Sequence, residues 1–577
     1  MNRRPAQVSY PLGLVLFVLL LACYKAVILT TGMGAYGYTF LVFVGLDAFY
    51  LSLFLIVALL QAYIRPKWLR ATFGILLILM MFLYLVDSFV LLALDEHASF
   101  FEIARYTPEW GVILSFFKLS TYIFVLLFLL SLFVFVNATA TVKKLGLVLL
   151  FLVLFAAASS VISTPGPLKS YAMLSPQQLL KELGPQQSVA SYSAGEVEFY
   201  AGLDQHAAHI PESKPDIILL IVESLSSINS EKVSSTPGFL DGFDELAEEG
   251  VLFRNFFANH QASEGGLIAL LAGFPPMHFP TASPYMFDEF AVQTPVVSEY
   301  QQQGYFVEFL TSADLTFIGL DHFLSGLGLD RSRGRDEVDT MRNAPRVVQD
   351  APSDVYLYRE ALRTALRLKT LDQPFLLTVA TTSTHLPYTH PEGGPDTPQA
   401  VWEWSVQQLL SFHQQLFESG FFDNGILLIT GDHRQMRPVT TAEVERYGAS
   451  ARARVPLLVI GEAFQQGQTD DRFFQQSDLL RMLGRINQLE SSLSPYPIWV
   501  ERYNRKYGRM ELINRLVVFD EADRGRHEYR LEVPGNRIEW LDEKPGFARR
   551  LETSIHSQRS RHQQKRNSLD DPIDQSH

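Results

Sequence analysis

The sequence predicts a helical membrane part followed by a larger α/β domain. The α/β domain should hold a mostly parallel sheet between helices and close with a small antiparallel sheet. Three observations carry this. Long apolar stretches fill the first 164 residues. From Lys214 onward, short apolar runs alternate with amphipathic helical runs, the pattern of a parallel sheet layered by helices. Beyond residue 500 the texture turns to apolar–polar alternation, with Gly535-Asn536 as a turn signal.

The membrane part comes first in the chain. Five stretches reach the ~20 apolar residues a bilayer requires: Leu12 to Thr31, Tyr38 to Ile64, Ala71 to Leu94, Val112 to Val136 and Leu145 to Ile162. Four further spans after the first exclude a cleavable signal peptide. Arg3 and Arg4, then Arg65, Lys67 and Arg70, then Lys143 and Lys144 mark alternate loops as cytoplasmic. The N-terminus is then inside, and everything after Ser163 lies outside the cytoplasm. Lys25, Asp47 and Asp87 fall within spans, where a lysine–carboxylate pair between helices, or handling of a lipid head group, would account for them.

Residues 165–213, with five prolines, read as a linker carrying short helices at Pro176 to Leu183 and Gly195 to Leu203. Residues 214–500 form the main domain. Its strands are expected at Ile217 to Val222, Val251 to Phe257, Tyr305 to Leu310, Phe375 to Ala380, Gly425 to Thr430 and Val455 to Ile460. Its helices are expected at Thr236 to Glu249, Gly265 to Leu271, Gln293 to Gln303, Val355 to Lys369, Thr397 to Ser419 and Ser477 to Leu483. Residues 501–552 make the small β subdomain, with strands within Met510 to Asp520 and His527 to Leu541. Residues 553–577 are polar and expected to be disordered.

Composition narrows the function. A formal charge of -13 argues against nucleic acid as a partner. The one cysteine, Cys23, lies in the first apolar stretch, so the α/β domain has no disulfide and no thiolate metal site.

The chemistry-bearing residues sit at strand ends, where open α/β sheets bind ligands. Glu223 ends the apolar run Ile217 to Val222. Ser263 precedes Glu264-Gly265-Gly266 and an apolar helical run. There it is either a helix cap or, in the positive field of a helix N-terminus, a nucleophile toward a bound anion. His385 follows the strand Phe375 to Ala380 within TTSTHLPY. Asp432 and His433 follow Gly431 and offer a carboxylate and an imidazole to one cation. An oxygen-rich set with one imidazole suits one divalent ion, Mn²⁺, Mg²⁺ or Zn²⁺.

These segments, with GFPP after the Ser263 helix and the run DNGILLITGDH from Asp423, resemble the sulfatase-like branch of the alkaline phosphatase superfamily. Five spans before an extracytoplasmic domain resemble, within it, the lipoteichoic acid synthases and the phosphoglycerol and phosphoethanolamine transferases of bacterial envelopes. The resemblance implies a cation, most often manganese, held by Glu223, Ser263, Asp432 and His433, with Ser263 as nucleophile and His385 against the phosphoryl group. It implies Asp314 and Arg434 as further substrate contacts, a membrane lipid donor and an envelope glycan or lipid acceptor. It also implies a multi-pass protein of the bacterial inner membrane with a periplasmic catalytic domain. The sequence departs from the family in using Ser263 where Thr is usual, in Arg434 where Gly often follows Asp-His, and in LTSADL, where only Asp314 matches a substrate residue. A hydrolase with water as acceptor, or a non-catalytic envelope protein with a degenerate site, are the alternatives. A formylglycine sulfatase does not fit, since Ser263 lacks the Pro and Arg that its maturation requires.

Overall fold

The computed structural model describes most of residues 203–487, then 497–501, 513–519, 524–534 and scattered residues to 555, together with a short helical piece between 56 and 84. The chain divides into two compact units, Met1–Pro185 and Gln186–His577. In the first unit, the five expected spans and Lys25, Asp47 and Asp87 lie almost wholly outside the described residues. Among the described residues no helix is long and apolar enough to cross a membrane. The expected linker helices and the polar tail after Glu552 also fall outside, apart from single residues at their edges.

In the second unit the apolar runs do form strands: β1 (Asp216–Val222), β2 (Val251–Phe257), β3 (Phe306–Thr311) and β4 (Arg331–Arg333). A separate hairpin of β5 (Arg346–Val348) and β6 (Ala351–Pro352) follows. Then come β7 (Phe375–Ala380), β8 (Gly425–Gly431), β9 (Arg454–Ile460), β10 (Gln468–Asp470) and β11 (Phe474–Gln475). The main sheet runs β10-β2-β9-β8-β1-β7-β3-β4, with β11 also on β2. β1 pairs in parallel with β7 and β8, so it lies at the centre. β9 alone runs against its neighbours β8 and β2. β1, β7, β8 and β9 are buried on both faces, which is why their sequences read as unbroken apolar runs rather than alternating ones.

Helices cover the sheet: α1 (Asp241–Leu246), α2 (Ser263–Ala272), α3 (Val296–Gln302), α4 (Leu320–Leu327), α5 (Asp354–Leu368), α6 (Pro398–Glu418) and α7 (Thr441–Tyr447). One face of the sheet, through Ile218, Leu220, Val222, Leu377, Val379, Leu427 and Ile429, packs on Phe243 of α1, Leu357 of α5 and Trp402 of α6. Each of these side chains, fully buried, contributes about 1.5–3 kcal/mol. Local chemistry sets the helix starts. Ser353 caps α5, Thr397 caps α6 ahead of Pro398, and Thr440 with Glu443 forms a reciprocal capping box on α7.

The C-terminal antiparallel sheet is present as β12 (Ile498–Glu501), β13 (Ile513–Phe519), β14 (Glu528–Pro534) and β15 (Glu539–Trp540). Its apolar face, Val500, Leu516, Val518, Leu531 and Val533, closes on Leu551, Ile555 and Met277. Asn259, fully buried, ties this sheet to the loop before α2. Its amide donates to the Ile498 carbonyl at 2.6 Å and to Gln475 Oε1 at 2.7 Å, and its backbone carbonyl accepts from Val500 at 2.8 Å.

Candidate active site

The carboxyl ends of the adjacent strands β8, β1 and β7, together with the N-terminus of α2, bring Asp432-His433, Glu223, His385 and Ser263 together. One ligand atom from each of Glu223, Asp432 and His433 lies within 4.8 Å of the others, and all three residues are buried. Ser263 Oγ stands 3.2 Å from Glu223 Oε2 and 3.2 Å from His433 Nε2. His433 Nε2 is 3.3 Å from Asp432 Oδ2 and 3.5 Å from Glu223 Oε1.

The structure decides what the Ser263 hydroxyl does. Ala262, not Ser263, holds the capping position of α2, and no side chain caps that helix. The hydroxyl is turned onto the cluster instead. Gly265 and Gly266 permit a close approach. A methyl on Gly266 would lie 2.2 Å from the Asp432 carbonyl oxygen, and one on Gly265 2.3 Å from the His260 side chain. The glycines let α2 close on the β8 loop, and so bring Ser263 to Asp432-His433.

Supporting hydrogen bonds fix the acids. Ser224, at a left-handed φ of 60°, donates its N–H to Asp432 Oδ1 at 2.8 Å and its hydroxyl to Glu223 Oε1 at 2.8 Å. Thr381 Oγ1 accepts from the Glu223 N–H at 3.0 Å, and Thr384 donates to the Glu223 carbonyl at 2.6 Å. His433 Nδ1 faces the Arg434 carbonyl at 2.7 Å. A carbonyl only accepts, so Nδ1 carries the proton and Nε2 turns its lone pair to the cluster.

Electrostatics describe a site made for positive charge. Burial, with the charge of Glu223 added, pushes the Asp432 carboxyl up to about 6, against His433 and the bonds from Ser224 and Ser263. Burial opposes charge on His433, yet Asp432 and Glu223 outweigh it and raise its affinity for a proton. Two buried carboxylates beside an imidazole lone pair fit a divalent cation, which would supply the charge the pocket lacks. His385 differs. Burial, with His433 beside it, lowers it to about 4 despite the Leu386 carbonyl and Asp432, so the ring is neutral near pH 7. It can then accept a proton, or a hydrogen bond from a hydroxyl, but does not act as a standing acid.

Asp314 and Arg434, expected to contact substrate, are held by other partners. Arg434 is buried and forks onto Glu443 of α7, with both bonds at 2.7 Å. Asp314 accepts from Thr316 at 2.8 Å and from Arg335 at 2.8 Å. Residues that went unnoticed in the sequence include Ser224, Thr381, Thr384, Asn259 and Asp354. Asp354 is buried and accepts the N–H of Thr382 at 3.0 Å and of Ser383 at 2.9 Å, which anchors the loop that carries His385. The usable signals were the hydroxyl-rich strings after β1 and β7, ESLSS and TTST.

Residues 215–485 match the family model described as Sulfatase. The matched residues hold β1 to β11, the three strand-end segments and α2. Lipoteichoic acid synthase 1 of Bacillus subtilis (strain 168) is 24% identical over 273 residues, covering 42% of this chain and 41% of that protein. The uncharacterized sulfatase YdeN of Escherichia coli (strain K12) is 26% identical over 246 residues, covering 34% of this chain and 43% of that protein. The chain thus spans about two fifths of the length of these curated relatives. Among solved structures, an alkaline phosphatase superfamily protein from Vibrio parahaemolyticus is 20% identical, covering 68% of this chain and 97% of that one, with a TM-score of 0.48. The lipoteichoic acid synthase LtaP from Listeria monocytogenes is 14% identical, covering 62% and 92%, with a TM-score of 0.46.

Proposed function

We propose that this protein is a metal-dependent, membrane-bound transferase that moves a phosphoglycerol or phosphoethanolamine group from a phospholipid to an envelope glycan or lipid. The observation that carries this is the Ser263 hydroxyl, which leaves its own helix uncapped and lies against Glu223 and His433. The match to a lipoteichoic acid synthase supports transfer over hydrolysis. Five apolar stretches would place donor lipid and enzyme in one plane, with the sulfatase-family domain in the periplasm.

In this reading Glu223, Asp432, His433 and Ser263 hold one divalent cation, manganese by preference. When bound, the cation supplies Lewis-acid stabilisation of negative charge at the phosphoryl centre. The chain does the rest. Ser263 Oγ forms a bond to phosphorus while the bond from phosphorus to the diacylglycerol oxygen breaks, and the proton lost from Ser263 ends on that departing oxygen. The N-terminus of α2 favours the anion. An acceptor hydroxyl then gives its proton to neutral His385 and bonds to phosphorus, while the bond from phosphorus to Ser263 Oγ breaks and that oxygen takes the proton from His385. Asp314 and Arg434 act on this site by holding the segments around it.

Ser263→Ala should abolish turnover of a fluorescent-headed phosphatidylglycerol or phosphatidylethanolamine and remove the covalent phosphoryl adduct from tryptic peptides. Ser263→Thr should keep both. Wild-type turnover in Ser263→Ala would end the covalent mechanism. The match to YdeN favours the second reading, a hydrolase on the same residues. Release of the free head group, with none appearing on any acceptor, would establish it.

A further inference from the structure

We propose that Gln349, at the tip of the β5–β6 hairpin, is the positioning residue that holds the His385 ring through its Nε2 lone pair, which makes the hairpin part of the working site; this rests on the reading that His385 serves the transferred group. The two tip residues, Gln349 and Asp350, have φ of 49° and 56°. A two-residue hairpin turn with both centres in the left-handed region favours Asn, Asp and Gly. Gln is costly there, and strain of this kind collects where a side chain is needed.

The side chain accounts for the choice. Gln349 Nε2 lies 2.8 Å from His385 Nε2. His385 Nδ1 meets the Leu386 carbonyl. That oxygen only accepts, so in the neutral ring the proton is on Nδ1 and Nε2 presents a lone pair. The Gln349 amide therefore donates to it, and the opposite amide orientation would set oxygen against a lone pair. Gln349 holds the place that a hydroxyl donor of the substrate would take up.

The tip is clamped from outside. Arg335, only 12% exposed, bonds Asp350 Oδ2 at 2.6 Å and Asp314 Oδ2 at 2.8 Å. At the base, β6 runs through Ser353 into Asp354, whose carboxylate holds the loop of His385. The hairpin and that loop are thus tied at two points, Asp354 and Gln349. Asp314 reaches the site through Arg335 and this arm.

The test reads the imidazole ¹⁵N signals of the full chain labelled in histidine, with His385→Gln identifying the residue by the signals it removes. In the wild type, His385 should show a protonated Nδ1 and a hydrogen-bonded, unprotonated Nε2. Gln349→Leu keeps the bulk without the donor, and Gln349→Asn suits the turn but falls short by a methylene. Both should move the His385 Nε2 signal from its hydrogen-bonded position toward that of a free, unprotonated nitrogen, while Nδ1 stays protonated on the Leu386 carbonyl. Both should slow hydrolysis of bis(4-nitrophenyl) phosphate about tenfold, a fraction of the 10²–10⁴ a positioned acid–base group contributes. The Asn variant should retain the wild-type melting temperature. His385 signals unchanged in both variants overturn the proposal, whatever the turnover. Wild-type turnover in His385→Gln would instead defeat the reading of His385 itself, while the Gln349 spectra would still show whether the contact exists.

Discussion

Gly266→Ala tests the assembly of the site without touching any group that does chemistry. The new methyl would lie 2.2 Å from the Asp432 carbonyl oxygen and 2.8 Å from its carbon, where ordinary contact begins at 3.4 Å. Both atoms are backbone, at the end of a strand hydrogen-bonded in the sheet centre, so they cannot turn aside. Helix α2 must retreat by about 1.2 Å, the gap between 2.2 Å and 3.4 Å. Ser263 rides on the first turn of α2 and would leave Glu223 and His433 by a similar distance. A misplacement of ~1 Å costs on the order of 10²-fold in rate. Overpacking costs about 1–3 kcal/mol, offset in part by the better helix propensity of alanine, up to about 1 kcal/mol. The expected result is therefore a folded protein, a few degrees less stable, that turns over phosphodiester about a hundredfold more slowly. The assay pairs turnover with thermal melting, and Gly546→Ala, where nothing lies within 4 Å, is the control. Wild-type turnover in Gly266→Ala would refute the close approach of α2 to Asp432. Loss of activity through unfolding alone would show that the glycine serves stability rather than the site.

Two further outcomes are expected. Glu223→Gln and Asp432→Asn should each weaken Mn²⁺ binding at least about tenfold by calorimetry, since each removes a charged oxygen ligand; unchanged affinity in both would show that the buried cluster is no cation site. A periplasm-dependent alkaline phosphatase reporter fused after Ile162 should be active, as the positive-inside pattern requires; a reporter active only when cytoplasmic would overturn the proposed topology.

What the sequence showed, and what it hid, follows from sequence distance. Glu223, His385 and Asp432-His433 were legible because each ends an apolar run, and buried parallel strands announce themselves by composition. The direction of β9 was not legible. Its residues, Arg454–Ile460, are all buried, so no periodicity separates an antiparallel strand from its parallel neighbours. β4 and β10 are three residues each and α4 only eight, too short for a pattern to stand out. Asp354 and Asn259 were invisible for another reason. Their value lies in partners such as Ser383 and Ile498, and nothing local marks a polar residue as buried. The role of Gly266 was not legible because the surface it approaches comes 166 positions later, at Asp432. Arg434 illustrates the same point in reverse. It was expected to contact substrate, while its partner Glu443 sits on the next helix.

The central position of β1 has a kinetic consequence. Its neighbours β7 and β8 enter the chain more than 150 and 200 residues later, as Ile217 pairing with Leu376 and Ile426 shows. Loops of that length make closure slow, and parallel pairing of distant segments is characteristic of sluggish folding. No partial fold of the N-terminal half can bring Glu223 to Asp432, so a nascent chain carries Ser263 without the His433 its hydroxyl lies against. The cluster can assemble only once β8 is made, the eighth of the fifteen strands among the described residues. The strand order thus makes the Glu223–Asp432–His433 cluster a late product of chain synthesis, one that appears only when the centre of the sheet closes.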